Sequence, residues 1–338
     1  IYHVFKRVEN VSQVSIKDVA RIAGVSIATV SRCINEPDRL KPKTRHQVEE
    51  AIRATGYSPN TLAQSFRRGT TRVIMVVLPS VGDPFFSDVM KGIHSVAVEN
   101  GYSLLINETQ HETMTADEIG TMVVSRQADG IVLLASMSPL GTRVLSATSQ
   151  QALPIVIACE TVSAELSTYP GVHIDNTAAA REATEYLLEL GHRKIAFIHG
   201  QKESLLTRDR ENGYLEAMRL AGLEVEHGWL VEGRLSIAGA IDATTRLLEH
   251  HCRPSAIFCA NDEMALGCLH AIKSAGLRVP DDISVMGFDD IRYAAVSDPP
   301  LTTVSQPAEK IGASAMRRLL QEINDDQADD SSVEIVPH

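Results

Sequence analysis

In the stretch VSIATVSRCIN (Val25–Asn35) the side chains divide between two faces of a helix. At about 100° per residue, Val30, Cys33 and Ile34 fall on one side and Ile27, Ala28, Ser31 and Arg32 on the other. The first set is apolar and suits a core. The second joins two small or apolar groups, a hydroxyl and an arginine, where a solvent face would carry long charged chains. An arginine can donate to both O6 and N7 of a guanine, and apolar groups can touch thymine methyls. The spacing therefore predicts a helix whose inner face packs and whose outer face reads base edges in a major groove.

A second group of chemically capable residues lies in five short segments, each directly after an apolar, strand-like run. They are PSVGDPFF (79–86), ACET (158–161), HGQKESLLTRDR (199–210), CAND (259–262) and GFDD (287–290). In open α/β sheets, ligands bind beyond the carboxyl ends of the strands. Together these segments supply hydroxyls, carboxylates, amides, arginines and phenylalanines. Such a set can stack on an apolar ring face and hydrogen-bond its polar edges. The body carries no GxGxxG after a strand, no Walker loop, no GxSxG elbow and no HExxH. EHHC (Glu249–Cys252) holds metal-ligand types, but adjacent residues on a helix point apart. Binding without catalysis, metal or cofactor is therefore expected. A sugar- or nucleoside-processing enzyme, or a transport-type binding protein, is the alternative.

The base-reading helix needs partners. SIKDVARIAG places Ile16, Val19, Ala20 and Ala23 at helical spacing, with Ser15 and Asp18 as a capping pair and Gly24 as the stop. A three-residue turn and the cap Ser26 then start the second helix, which is the helix–short turn–helix pattern. A third helix is predicted from Pro42 to Thr55, with Val48, Ala51, Ile52 and Thr55 as its stripe and Tyr57 packing back. Lys41 stands at its cap position and is a poor cap. SPNTLAQSFRRGTTR follows, where Pro59 and Asn60 read as turn and cap, and TLAQSF is too short to be a stable helix alone. Beyond Arg72, strand-like and helical patterns alternate. VIMVVLP, YSLLI, GIVLLA and PIVIA form one series, and KIAFIHG, SAIFCA and ISVMGF another. This predicts two parallel sheets covered by helices on both faces. In the first of those helices Phe86, Val89, Ile93 and Val96 are the expected inner stripe.

The chain has 338 residues and 44% hydrophobic content, enough for two or three domains with ordinary cores. No run of 18 apolar residues exists, so no membrane span is expected. IYHVFKRVEN lacks the apolar core and cleavage site of an export leader. The five cysteines are odd in number and form no CxxC pair, which points to a reducing, cytoplasmic setting. The net charge of −11 argues against nucleic acid, but its distribution reverses that inference. Residues 1–72 hold 13 Lys+Arg against 6 Asp+Glu. A basic head on an acidic body implies that only the head meets a polyanion.

The run DVA-x-x-AGVS-x-x-TVSR-x-x-N, then TR-x-x-V-x-x-AI, then GY-x-PN-x-x-A-x-S, resembles the headpiece and hinge of the LacI/GalR family of bacterial transcription regulators. The resemblance extends through the body in DPFFSDVMKGI, ADGIVLL, HIDN, GHRKIAFIHG, RDRENGY, ANDEMALG, SVMGFDD and DPPLTTV-x-Q. It implies an all-α helix-turn-helix headpiece and an α/β body of two doubly wound subdomains, of periplasmic-binding-protein type. The implied boundaries are an extension over 1–14, the DNA-binding domain over 15–58 and a hinge helix and linker over 59–71. The effector-binding and dimerisation domain would occupy 72–338. Its subdomains would be about 72–174 with 301–338, and 175–300.

The resemblance also implies residue roles. Ile27, Ala28 and Arg32 would read bases, with Thr29, Ser31 and Asn35 nearer phosphates. Asn60, Ala63 and Phe66 would enter the minor groove, where Phe66 replaces the usual leucine wedge. Phe85 and Phe86 would stack on an effector, Arg210 would be the central donor, Asn261 a polar contact, and Asp289 the hydroxyl acceptor. Cys159 stands where a ligand-bonding Asp or Asn often sits, and Leu235 where several members place an aromatic. Within the family, LPSVGDPFFSDVMKGI and AELSTYPGVHIDN look most like the cytidine-responsive repressor branch. The implied partners are pseudo-palindromic operator DNA, a nucleoside or sugar effector and a second copy of the chain. No tetramer-forming heptads are visible past Gln321.

Overall fold

The computed structural model describes residues 14–57, 70–109, 121, 127–134, 153–160, 169–202, 204–324 and 332–338. They fall into two units, a head ending at Thr70 and a body starting at Thr71.

Among the described residues the head has three helices, α1 (Ile16–Ala23), α2 (Ile27–Asn35) and α3 (Pro42–Thr55), with a short 3-10 turn over Pro37–Arg39. Asp18 locks the start of α1 by accepting from both the amide and the hydroxyl of Ser15, at 3.1 and 2.7 Å. Gly24 ends it in the left-handed region at φ 67°, which a glycine adopts without strain. Ser26 caps α2 by accepting from the Thr29 amide at 3.1 Å. Val19, Ala20, Val30, Cys33, Val48 and Ala51 form the core, and Ile34, Ile52 and Tyr57 pack against it. Lys41 begins α3 with no side-chain cap bond, as its residue type predicts.

The body contains two all-parallel sheets. The first is built from β1 (Val73–Leu78), β2 (Ser103–Glu108), β3 (Gly130–Leu133), β4 (Ile155–Ala158), β5 (Gly171–His173) and, from the far end of the chain, β11 (Val333–Ile335). Its order is β11-β5-β4-β3-β1-β2. It carries α4 (Pro84–Glu99) and α9 (Ala308–Asn324). The second sheet runs β10-β9-β8-β6-β7, with β6 (Ile195–His199), β7 (Leu230–Glu232), β8 (Ala256–Cys259), β9 (Ser284–Asp289) and β10 (Thr302–Ser305). Its helices are α5 (Asn176–Glu189), α6 (Leu205–Leu220), α7 (Ile237–Glu249) and α8 (Asp262–Ser274). The central strands β1, β3, β4, β6 and β8 are buried along nearly their whole length, which is why they read as continuous apolar runs.

Three expectations need correction. Thr302–Ser305, expected with the first subdomain, pairs instead with β9, Thr302 opposite Met286. The second lobe is thus continuous from about residue 175 to 305. Strands β5, β7 and β10 were not foreseen. Along α4, Phe85 rather than Phe86 joins Val89, Ile93 and Val96 in the buried stripe, because 85, 89, 92, 93 and 96 share one helical face.

α4 and α9 meet through glycine. A Cβ on Gly92 would lie 1.9 Å from the Glu309 carbonyl oxygen, and one on Gly312 2.0 Å from that of Val89. The backbones are therefore in direct contact. The start of the body is fixed by Asp129, which accepts from the Thr71 amide and hydroxyl at 2.6 and 2.8 Å and from the Arg72 amide at 2.9 Å.

Candidate nucleic-acid interface and ligand cleft

On α2 the two predicted faces are both present. Val30 and Cys33 are buried, Ile34 is half-buried, and Ile27, Ala28 and Arg32 are exposed. Ile27 keeps 45% of its surface in contact with solvent, unusual for an isoleucine with a core one turn away. Arg32 makes no ion pair among the described residues, whereas Arg21, Arg39 and Arg45 are each held by carboxylates of the head. An uncommitted guanidinium beside exposed apolar groups is free to dock on a polar edge. Thr29 and Ser31 are half-buried, and the Thr29 hydroxyl is 2.9 Å from that of Ser26. The side chain of Asn35, and all of Asn60, Ala63 and Phe66, lie outside the described residues.

In the body the carboxyl ends of both sheets converge on Arg210. This residue sits one and a half turns into α6 and is only 2% exposed. Its Nε donates to Asn176 Oδ1 at 3.0 Å and one terminal nitrogen to the Ala260 carbonyl. That nitrogen lies 3.5 Å from Asp289 Oδ1. The guanidinium also stacks on Phe288, 3.6 Å from the ring centroid. Asp289 accepts from Gln306 Nε2 at 2.6 Å. Burial pushes its carboxyl well above the usual carboxylate range, against the pull of Arg210. Asp289 and Asp290 have φ of 119° and 60° in succession. Two consecutive non-glycine residues in this region are strained and are held only by their surroundings.

Asp262 supplies much of that hold. It is fully buried, accepting from Thr303 Oγ1 at 2.6 Å and from the Ile291 amide at 2.8 Å. It packs on Gly287, where a Cβ would meet its Oδ1 at 2.1 Å. The Asp289–Asp290 turn is thereby clamped on both flanks. Burial raises the Asp262 carboxyl to about 6, with the bonds from Thr303 and Ile291 pulling the other way. The folded chain therefore binds this proton more tightly than the unfolded one. The contribution of Asp262 to stability therefore falls as pH rises from about 4 to about 6, by up to about 3 kcal/mol. Asp262→Asn is expected to flatten that slope, seen in melting temperatures of both proteins at pH 4.5 and 6.5. Equal slopes would refute it.

The remaining predicted site residues are placed as follows. Asn261 caps α8 by accepting from the Met264 amide at 2.9 Å, next to the Ala260 carbonyl that binds Arg210. Phe85 and Asp289 line one cavity of about 430 Å3 together with Gln306, Pro307 and Asp88. Phe86 does not line it but meets Phe85 edge-on, ring centroids 5.3 Å apart. Asp83, which caps α4 by accepting from the Phe85 amide at 2.8 Å, has its carboxyl raised by burial. Cys159 is buried at the end of β4 with φ 73°. The structure thus links Arg210, Asp289 and Asn261 around the Ala260 carbonyl and puts Phe85 beside Asp289 in one cavity, with Phe86 against the edge of Phe85. Asp262 and Phe288 lie in the predicted segments CAND and GFDD without an assigned role, and Asn176 and Gln306 lie outside the five segments. Asn176 and Gln306 stand in HIDN and DPPLTTV-x-Q, whose polar ends were the available signal.

A helix-turn-helix head in one chain with a two-lobed α/β body, its charges gathered between the lobes, defines a ligand-binding regulatory protein. Residues 15–60 match the family model of bacterial regulatory proteins, lacI family. Residues 71–338 match that of periplasmic binding proteins and the sugar binding domain of the LacI family. The chain belongs to the LacI family of bacterial transcription regulators. It is 38% identical to the HTH-type transcriptional repressor CytR of Escherichia coli K12 over 91% of this chain and 89% of that one. The lac repressor dimer bound to operator and the anti-inducer ONPF superposes with a TM-score of 0.84 at 29% identity, covering 96% of both chains. The complex of the transcriptional regulator CelR with cellobiose gives 0.73 at 28% identity, covering 96% of this chain and 97% of that one. Among the described residues no helix is long and apolar enough to cross a membrane.

Proposed function

We propose that this chain is a repressor whose head binds a pseudo-palindromic operator and whose operator affinity is set by a nucleoside or sugar held at Arg210 and Asp289. The observation that carries the DNA reading is the exposed face of α2, with Ile27, Ala28 and an Arg32 that has no ion pair among the described residues, above a packed inner face. Two copies pair through their bodies, so that two heads meet adjacent major grooves. Asn60, Ala63 and Phe66 then enter the minor groove between them, with Phe66 as the wedge that bends the duplex. An effector that prefers one arrangement of the two lobes shifts the hinges and so the operator affinity. By linkage the operator shifts effector affinity by the same factor. The resemblance of LPSVGDPFFSDVMKGI and AELSTYPGVHIDN to the cytidine-responsive branch supports a nucleoside, and the likeness to the CelR–cellobiose complex supports a sugar.

The test starts from a duplex selected by the full chain from a random pool. Arg32→Ala is expected to weaken binding to that duplex by about 1–3 kcal/mol while leaving binding to unrelated DNA nearly unchanged. An unaltered ratio between the two affinities removes Arg32 from base reading.

A further inference from the structure

Where the chain enters the body, one side chain holds two successive residues. Asp129, directly before β3, accepts from the Thr71 amide and hydroxyl with Oδ1, at 2.6 and 2.8 Å, and from the Arg72 amide with Oδ2, at 2.9 Å. The Thr71 hydroxyl in turn accepts from the Val73 amide at 3.2 Å. Arg72 is held from the other side as well. Its carbonyl accepts from the Ser103 amide at 2.9 Å, and its guanidinium donates to the Asn100 carbonyl at 3.3 Å and lies over the Tyr102 ring, 5.0 Å from the centroid. Between these holds the Arg72 backbone is left-handed, at φ 55°. A residue with a β-carbon stays in that region only where its surroundings enforce it.

The clamp is itself anchored in the first lobe. The Asp129 amide donates to the Val73 carbonyl at 2.8 Å, and a Cβ on the next residue, Gly130, would lie 3.0 Å from Leu319 of α9. Asn100 and Tyr102 lie between α4 and β2, and Ser103 begins β2. The pairing of β1 does not call for the bonds to Asp129. It starts at Val73 opposite Ser103 and runs to Leu78 along β2 and to Val77 along β3. Asp129 acts just outside that strand, on the two residues next to the head along the chain. What it fixes is the direction in which the chain leaves the first lobe.

We infer that Asp129 is a positioning residue for operator binding: it sets the exit of each chain from its first lobe, so that two heads on paired bodies reach two half-sites together. This rests on the reading of the chain as a repressor that binds a pseudo-palindromic operator as a pair. One head docks on one half-site wherever its chain leaves the body. The second head is then confined near the other half-site, and its effective concentration there depends on the exits of both chains.

The experiment measures binding of the full chain to two duplexes, at concentrations where sedimentation shows paired bodies. One is the duplex selected from a random pool, and the other is the same duplex with one half-site scrambled. Asp129→Ala is expected to bind the intact duplex about tenfold more weakly than the parent chain, and the scrambled one within about twofold of it. Equal losses on the two duplexes mark a purely structural role and overturn the inference, as does no loss on either. Asp129→Asn keeps the shape of the side chain and the acceptor for Thr71, but sets an N–H against the Arg72 amide. It is expected to melt close to the parent and to show the same selective loss, about threefold, which keeps the inference open to refutation should Asp129→Ala fail to fold. A parent chain that binds both duplexes equally well overturns the paired-operator reading, and the inference with it.

Discussion

Arg210→Met is expected to destabilise the body by about 3–5 kcal/mol, and Arg210→Met combined with Asp289→Asn by markedly less. The reason is the surroundings of the pair. Arg210 and Asp289 are 2% and 8% exposed, so neither can turn to water when the other is lost. In the single variant a buried carboxylate keeps only Gln306, and the Asn176 and Ala260 oxygens lose their donor. In the double variant the charge is gone. Burial already raises the Asp289 carboxyl, and losing Arg210 removes the opposing pull. Its folded value then stands even further above the unfolded one, so the single variant's deficit is full at high pH and shrinks as pH falls. Urea midpoints of the three proteins at pH 8 and pH 5 check this. Equal deficits for single and double variants at pH 8 would show that the carboxylate does not depend on the guanidinium for its place in the fold. Whatever its stability, the single variant is expected to lose the effector response, which operator binding with and without ligand reads directly.

Gly92→Ala is the second large effect, about 3 kcal/mol or more, although only one methyl group is added. That methyl would stand 1.9 Å from the Glu309 carbonyl oxygen and 2.7 Å from the Ala313 amide nitrogen. Both obstacles are backbone, so no rotamer change relieves them. Nor can α9 simply step away, since it also packs on β3, β4 and β5. Separating the helices enough would also strip contacts from Val89, Ile93, Ile311 and Ala315, all fully buried. Gly82→Ala is the control. A Cβ there meets only Ser80 Oγ, at 3.4 Å, and the expected change is within about 0.5 kcal/mol. Thermal unfolding of both variants beside the parent decides it, and similar melting temperatures for the two would refute the close approach of α4 and α9.

The head was almost wholly legible in the sequence. Its caps, stops and two-faced α2 depend on local chemistry within a few residues of Ser15, Gly24 and Ser26, which a linear reading can reach. In the body the long helices and central strands were legible for the same reason, since their patterns span several residues. Strands β5, β7 and β10 have three or four residues each, too few to show a period, and they exist because a neighbouring strand offers hydrogen bonds. The cleft was legible in outline. The rule about carboxyl ends found the segments holding Arg210, Asn261 and Asp289. What it could not find were partners distant in sequence or belonging to the backbone. Asn176 is 34 residues from Arg210, and the Ala260 carbonyl leaves no trace in residue type. Phe85 and Phe86 show a third limit. One position along a helix turns a side chain by about 100°, and two adjacent identical residues give no hint of which faces inward.

The division of the two sheets along the chain bears on how the protein is made. The second lobe is continuous, from about residue 175 to the end of β10. The first is split, its strands β1 to β5 at one end and α9 and β11 more than 130 residues later. Emerging from a ribosome, the earlier lobe has its apolar strands ready but lacks the helix that covers β3, β4 and β5. The later lobe has all its parts while synthesis continues. The usual order of domain folding along a nascent chain is therefore reversed, and the lobe begun first is completed last. Until α9 is released, the buried faces of β3 and β4 are exposed to water and to other chains. That interval, rather than the finished structure, is where aggregation threatens this protein most.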